Sequence, residues 1–153
     1  MQTFPPTIVL RHRRENLKKC SLRGLESRED FRFFKYPLDV LPDLSGYIML
    51  DMDAPVLTQE DGGKGLFILD STWRYASTMS RFADPNQTLM RRSLPEHYRT
   101  SYPRRQEDCV DPERGLASIE AIFVAYHILG RDTSGLLDLY HWKDKFLNLN
   151  FDF

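Results

Sequence analysis

Cysteine is scarce in this chain. Cys20 and Cys109 are the only two among 153 residues, too few and too far apart to build a zinc site by themselves. The four histidines (His12, His97, His127 and His141) show no ligand spacing with one another or with either cysteine, so they are expected to pack or face solvent, and no metal is expected. No apolar run approaches the roughly 20 residues that span a bilayer. The first apolar run precedes its arginines, Arg11, Arg13 and Arg14, the reverse of the order in a secretory signal. A cytoplasmic protein with reduced thiols is the expectation. A Walker loop, a Gly-x-Ser-x-Gly elbow and a dinucleotide fingerprint are all missing. Gly62-Gly-Lys-Gly65 is superficially like a phosphate loop, but it leads into an apolar run rather than out of one, which reads as a turn.

A strong net charge is also lacking. Lysine and arginine number 21 against 22 acids, for a formal charge of -1, and that total gives no hint of a nucleic-acid partner. The distribution says more. Residues 11–35 hold nine basic residues against four acidic ones, and residues 91–105 hold five arginines against Glu96 alone. Acids gather instead in 39–61 and 107–113. A neutral total can therefore hide a basic face of the kind that meets phosphates, although arginine clusters also serve simply to solvate a surface.

What is present is enough apolar material for a core: 41% hydrophobic and 12% aromatic residues, which suits one compact unit or two small lobes. Thr7-Ile-Val-Leu10 is a short β-branched run after Pro5 and Pro6, read as a buried strand. The basic, polar stretch through Arg32 reads as an exposed loop with a short helix. Tyr47-Ile-Met-Leu50 and Leu66-Phe-Ile-Leu69 are apolar runs each followed by an aspartate. Continuous runs of this length fit strands covered on both faces of a parallel sheet. Ser71 or Thr72 can cap a helix carrying Trp73, Ala76 and Met79 at helical spacing, ending before Asp84-Pro85. Residues 89–94 form a candidate strand, and a helix over 116–129 ends at Gly130, a good C-terminal cap. Short helices are expected at 136–140 and 143–149. The alternation indicates an α/β sheet followed by a mainly helical C-terminal part.

Ligands in open α/β sheets bind beyond the carboxyl ends of the strands, which directs attention to Asp51 and Asp70. Asp70-Ser-Thr-Trp73 joins a carboxylate, two hydroxyls and an indole at one strand-to-helix turn. An aspartate there can orient an amine or accept a proton while helix amides hold an anion. The same residues would serve equally as a helix cap followed by a core tryptophan. In Gly115-Leu-Ala-Ser-Ile-Glu-Ala121, Gly115 allows close backbone approach and Ser118 lies near a helix start. Glu120 falls in a first turn, where acids are favoured whatever the function.

Taken in order, these segments resemble a known family. Lys18-Lys-Cys-Ser21, Ile68-Leu-Asp-Ser-Thr-Trp73 with Ala76, Arg92-Ser-Leu-Pro95 and Leu116-Ala-Ser-Ile-Glu-Ala121 are similar to motifs of the small-subunit ribosomal RNA aminocarboxypropyltransferases and the related DTW-domain tRNA enzymes. Trp142-Lys-Asp-Lys-Phe146 with Asn148 and Asn150 resembles the C-terminal region of the rRNA enzymes. Met52 stands where those enzymes usually carry proline, and residues 98–105 are closer in flavour to the DTW enzymes. The resemblance implies a SPOUT-like knotted fold, with a small, mostly parallel sheet lobe over 1–90 and a mainly helical lobe over 91–153 completing a cofactor cleft.

It further implies S-adenosylmethionine as cofactor. Trp73 and Ala76 would pack on its methionine part, and Ser21 would hold the amino-acid end. Leu50, Met52 and Leu94 would border the adenosine, joined by Leu116, Ser118 and Ala121. Asp70 would sit at the reacting centre as the candidate base, with Glu120 a weaker choice. Lys18, Lys19 and Arg23 would meet the RNA, either small-subunit rRNA or tRNA. The reaction so implied moves the 3-amino-3-carboxypropyl group to a base nitrogen and releases 5'-methylthioadenosine, the protein acting as a monomer. The alternatives are a methyltransferase of the same fold and a non-catalytic RNA-binding ribosome-assembly factor.

Overall fold

A computed structural model describes residues 4–12, 22, 24–51, 53–70, 73–101 and 116–151, with only the backbone of Trp73, Arg74 and Ala76. Among them are five strands, β1 (Thr7–His12), β2 (Phe31–Tyr36), β3 (Tyr47–Leu50), β4 (Gly65–Asp70) and β5 (Met90–Arg92), and three helices, α1 (Trp73–Ala83), α2 (Ser118–Leu129) and α3 (Lys143–Asn150). The strands form one sheet in the order β2-β1-β4-β3-β5, and every neighbouring pair is parallel. β4 is therefore central, with β1 on one side and β3 on the other.

Alternation along the strands sorts the side chains onto two faces. Val9, Ile48, Leu66 and Ile68 join the larger core cluster with Ile122, Phe123, Tyr126 and Phe146. Ile8, Leu10, Met49 and Phe67 point the other way, into a smaller cluster with Met79 of α1 and Leu44. The larger cluster draws on both 1–90 and 91–153. α2 is buried on nearly every side, as a helix apolar all round must be. It ends where Gly130 takes the left-handed conformation, φ 75°, and the Arg131 amide then bonds the Tyr126 carbonyl at 2.9 Å, closing the helix as such a cap should.

α1 ends before Asp84-Pro85, since the residue ahead of proline is pushed out of the helical region. Asp84 is nearly sealed from solvent. Its carboxylate accepts the amides of Thr88 at 2.8 Å and Leu89 at 3.0 Å, which pins the loop leading to β5. Burial pushes the Asp84 carboxyl up, but the Thr88 and Leu89 amides, the Thr88 hydroxyl and Arg91 outweigh it and hold the group below its ordinary value.

Three expectations need correction. The basic stretch does not stay a loop through Arg32: a 3-10 turn at Leu25–Ser27 is followed by β2, beginning at Phe31. Segment 136–140 is not a helix. Its bonds run from Leu136 to Thr133, Asp138 to Gly135 and Tyr140 to Leu137, an i to i−3 pattern of successive turns that passes through Gly135 in the left-handed region. The strand expected over 89–94 is only Met90–Arg92. The expected caps Ser71 and Thr72 lie outside the described residues.

Candidate functional site

β1 leads to β2 on one flank of the sheet, while β4 leads past β3 to β5 on the other. The carboxyl ends of β1 and β4 are therefore the topological switch point, where an open α/β sheet leaves a crevice. Arg11 and Asp70 stand opposite each other in register at that point. The Arg11 Nε donates to Asp70 Oδ2 at 3.1 Å, and the two side chains are 9% and 6% exposed. The guanidinium also lies over the Phe33 ring, 4.6 Å from its centroid, and its Nη1 is 3.8 Å from Glu26 Oε2.

The other oxygen of Asp70 faces α2. Ser118 Oγ donates to Asp70 Oδ1 at 3.2 Å, so the first turn of α2 points at the switch point. The free amides of a helix start favour negative charge there. Ala121 lies three residues on, on the same side of the helix, and is half-buried. Leu50, Leu94 and Leu116 are half-buried and pack against the larger core cluster from the ends of β3 and β5 and the approach to α2. The arrangement is an ion pair and a hydroxyl at the sheet's carboxyl edge, with three leucines arriving from neighbouring segments.

Glu120, fully buried, has a different task. Its Oε1 accepts the Thr100 hydroxyl at 2.6 Å and the Ala117 amide at 2.8 Å. Its Oε2 accepts the Ser101 amide and hydroxyl, both at 2.9 Å, and the Tyr140 hydroxyl at 3.0 Å. A carboxylate so enclosed binds three segments together and orients the start of α2, rather than standing ready to take a proton from a substrate.

Of the residues singled out in the sequence, Asp70, Ser118, Ala121, Leu50, Leu94 and Leu116 fall at or beside this carboxyl edge. Trp73 and Ala76 lie on α1, which starts three residues after Asp70, and their side chains are outside the description. Ser21, Met52, Lys18, Lys19 and Arg23 lie outside the described residues. Sequence reasoning missed Arg11 and Phe33. Arg11 was counted toward a basic face, yet it is turned inward; the available signal was an arginine directly following a buried run.

Several other cations are likewise spent internally. Arg28 pairs with Asp30 at 2.9 Å, Arg91 with Asp51 and Asp84, and Arg92 with Asp61 at 3.2 Å. The hydrogen bonds that Arg28 donates to Asp30 hold its guanidinium above its ordinary value, against a smaller opposing effect of burial. Arg32, Lys35 and Arg99 remain exposed. Among the described residues, no group of three His, Cys, Asp or Glu side chains could hold a metal ion, and no helix is long and apolar enough to cross a membrane.

Among solved structures, the chain is similar to the SAM-dependent rRNA:acp-transferase Tsr3 from Vulcanisaeta distributa, with a TM-score of 0.71 and 23% identity over 95% of this chain and 78% of that one. The two proteins share a fold. No protein-family model and no curated protein matches the chain. Tsr3 is an aminocarboxypropyl transferase acting on rRNA with S-adenosylmethionine, and the mixed α/β fold of this chain, with its five-stranded parallel sheet and three helices among the described residues, is similar to it.

Proposed function

We propose that this chain transfers the 3-amino-3-carboxypropyl group of S-adenosylmethionine to a base nitrogen of structured RNA, with small-subunit rRNA favoured over tRNA. The observation that carries the reading is the Arg11–Asp70–Ser118 constellation at the switch point of a sheet whose fold is that of an rRNA:acp-transferase. The knotted path, the two-lobed cleft and the individual ligand contacts are part of the proposal.

The side chains present fit the cofactor. Half-buried Leu50, Leu94 and Leu116 offer apolar surface for an adenosine, and the buried Asp70 carboxylate suits a cationic sulfonium or amine. Trp73 and Ala76 would supply the wall against the methionine part, with Ser21, Met52 and Ala121 completing the pocket. When bound, S-adenosylmethionine supplies a methylene carbon activated by the adjacent sulfonium, and displacement at that carbon releases 5'-methylthioadenosine.

The protein's own contribution is positioning and charge. Arg11 fixes Asp70 Oδ2, so the carboxylate cannot rotate freely, and Oδ1 is left toward Ser118. A proton leaving the attacking imide nitrogen would be received at Asp70 Oδ1, directly or through the Ser118 hydroxyl. Glu120 holds the α2 start that carries Ser118. The target base must leave its stack to reach such an edge, and Lys18, Lys19 and Arg23 would grip the phosphates beside it.

Mass spectrometry of RNA nucleosides from cells with and without the gene tests the reading: an aminocarboxypropyl adduct is expected to disappear with the gene. In vitro, 5'-methylthioadenosine is the expected product, and S-adenosylhomocysteine would mean methyl transfer instead. By calorimetry, Trp73→Ala is expected to abolish S-adenosylmethionine binding and leave RNA affinity nearly intact. RNA binding by the wild type with no measurable cofactor affinity would point to a non-catalytic assembly factor.

A further inference from the structure

A single register row crosses three strands at the carboxyl edge of the sheet. Arg11 pairs with Lys35 on β2 and with Asp70 on β4, and residues paired in this way share a face. Lys35 therefore belongs to the face of Arg11 and Asp70, two residues beyond Phe33, which lies under the Arg11 guanidinium. Neighbouring strands are about 4.8 Å apart, so the backbone at Lys35 stands two strands, or roughly 10 Å, from that at Asp70. β2 ends the sheet on this flank.

The charge of β2 has one sign. Phe31-Arg-Phe-Phe-Lys-Tyr36 holds two cations and no acid, and Arg32 and Lys35 are both exposed. Arg11, Arg28, Arg91 and Arg92 are each held by a carboxylate, whereas among the described residues no carboxylate pairs with Lys35 or Arg32. The bonds of Arg32 go to the backbone carbonyls of Glu29 and Phe31, at 3.2 Å each. Asp39, the first acid after the strand, is turned onto the Lys35 amide at 2.8 Å. Charges on an edge strand also deter pairing with another strand, but that task needs no particular sign and no place in the row of Asp70.

We propose that the β2 edge carries the RNA strand beside the target nucleotide, with Lys35 on the phosphate nearest the reacting edge and Arg32 on one further along. Arg32 precedes Lys35 by three residues, about 10 Å along the strand, so the two meet different phosphates. A base extruded toward Asp70 leaves its phosphates outside the crevice, and Lys35 is the exposed cation in that row. These contacts are additional to those given to Lys18, Lys19 and Arg23. The inference rests on the proposed RNA partner and not on which group is transferred.

Binding of a fluorescent RNA hairpin with a uridine loop is followed by anisotropy across a salt series, for the full chain and for Lys35→Gln, Arg32→Gln and the exposed control Lys145→Gln. Each variant removes one charge from an exposed side chain, so all three are expected to melt within about 2 °C of wild type. One phosphate contact contributes about 0.7–0.9 to the slope of log affinity against log salt. Lys35→Gln and Arg32→Gln are each expected to flatten the slope by about that amount and to weaken binding at least about threefold at low salt, with Lys145→Gln close to wild type. Unchanged slopes for Lys35→Gln and Arg32→Gln, with RNA still bound, overturn this surface and leave the proposed reaction standing. An equal loss in Lys145→Gln also overturns it, since total charge and not place would then decide. So does wild-type RNA affinity in Lys35→Glu, which keeps the edge charged with the opposite sign. A wild type with no affinity for RNA overturns both this surface and the reading it rests on.

Discussion

Replacing Arg11 by methionine isolates the energetic centre of the candidate site. The substitution keeps an unbranched side chain to cover Phe33 but removes the cation beside Asp70. With side chains 9% and 6% exposed and Nε and Oδ2 3.1 Å apart, solvent screening is weak. Removing one partner of a buried pair strands the other's charge, at a cost of about 3–5 kcal/mol. The Ser118 hydroxyl remains on Oδ1 and offsets part of this, so about 3 kcal/mol is expected, or roughly 6–12 °C in Tm for a domain of this size. The assay is a double-mutant cycle by urea and thermal denaturation, using Arg11→Met, Asp70→Asn and the double substitution. The double variant is expected to recover at least about 1.5 kcal/mol relative to the sum of the singles. A Tm within about 2 °C of wild type for Arg11→Met, or strict additivity in the cycle, would refute the claim that these two residues form one energetic unit.

Two further substitutions probe the supports of the site. Glu120→Ala strips the acceptors from Thr100, Ser101, Ala117 and Tyr140. It is expected to destabilise by about 3–5 kcal/mol, and a variant melting within a few degrees of wild type by circular dichroism would contradict the hub role. For Asp84 the folded-state value is depressed, so its contribution is fully present above the ordinary aspartate value and is lost as pH falls through the lower folded value. Asp84→Asn is therefore expected to be less stable than wild type at neutral pH, with the gap closing below about pH 4; a gap in urea midpoint that stayed constant down to pH 3 would exclude this linkage.

The parts of the fold readable in the sequence were those whose signal is local. Leu66-Phe-Ile-Leu69 is apolar on both strand faces because both are covered, and Gly130 punctuates α2 because a left-handed residue closes it. β2 was not readable, because Phe31, Phe33 and Phe34 alternate with Arg32 and Lys35 inside a basic stretch, and this edge strand half faces solvent. Segment 136–140 has the spacing of a helix, with Leu136, Leu137 and Tyr140 buried, but turns opening at a left-handed glycine reach the same burial. The site divides along the same line. Asp70 stood out as the end of an apolar strand. Arg11 did not, since its role depends on a register between strands 59 residues apart in sequence, which no local pattern encodes.

The central position of β4 governs how such a chain can be assembled. β1 and β3 do not pair with each other; both wait for β4, which is made after them. While the chain is being synthesised, residues up to 64 contain β1, β2 and β3 but not the strand that joins them. β4 is the partner of both β1 and β3. Loop-closure entropy is therefore met late and nearly all at once, and until β4 arrives β1 and β3 present open, apolar edges to any other strand. The arginine–aspartate bridge at the carboxyl edge comes into being only when β1 and β4 pair, so the site cannot precede that pairing.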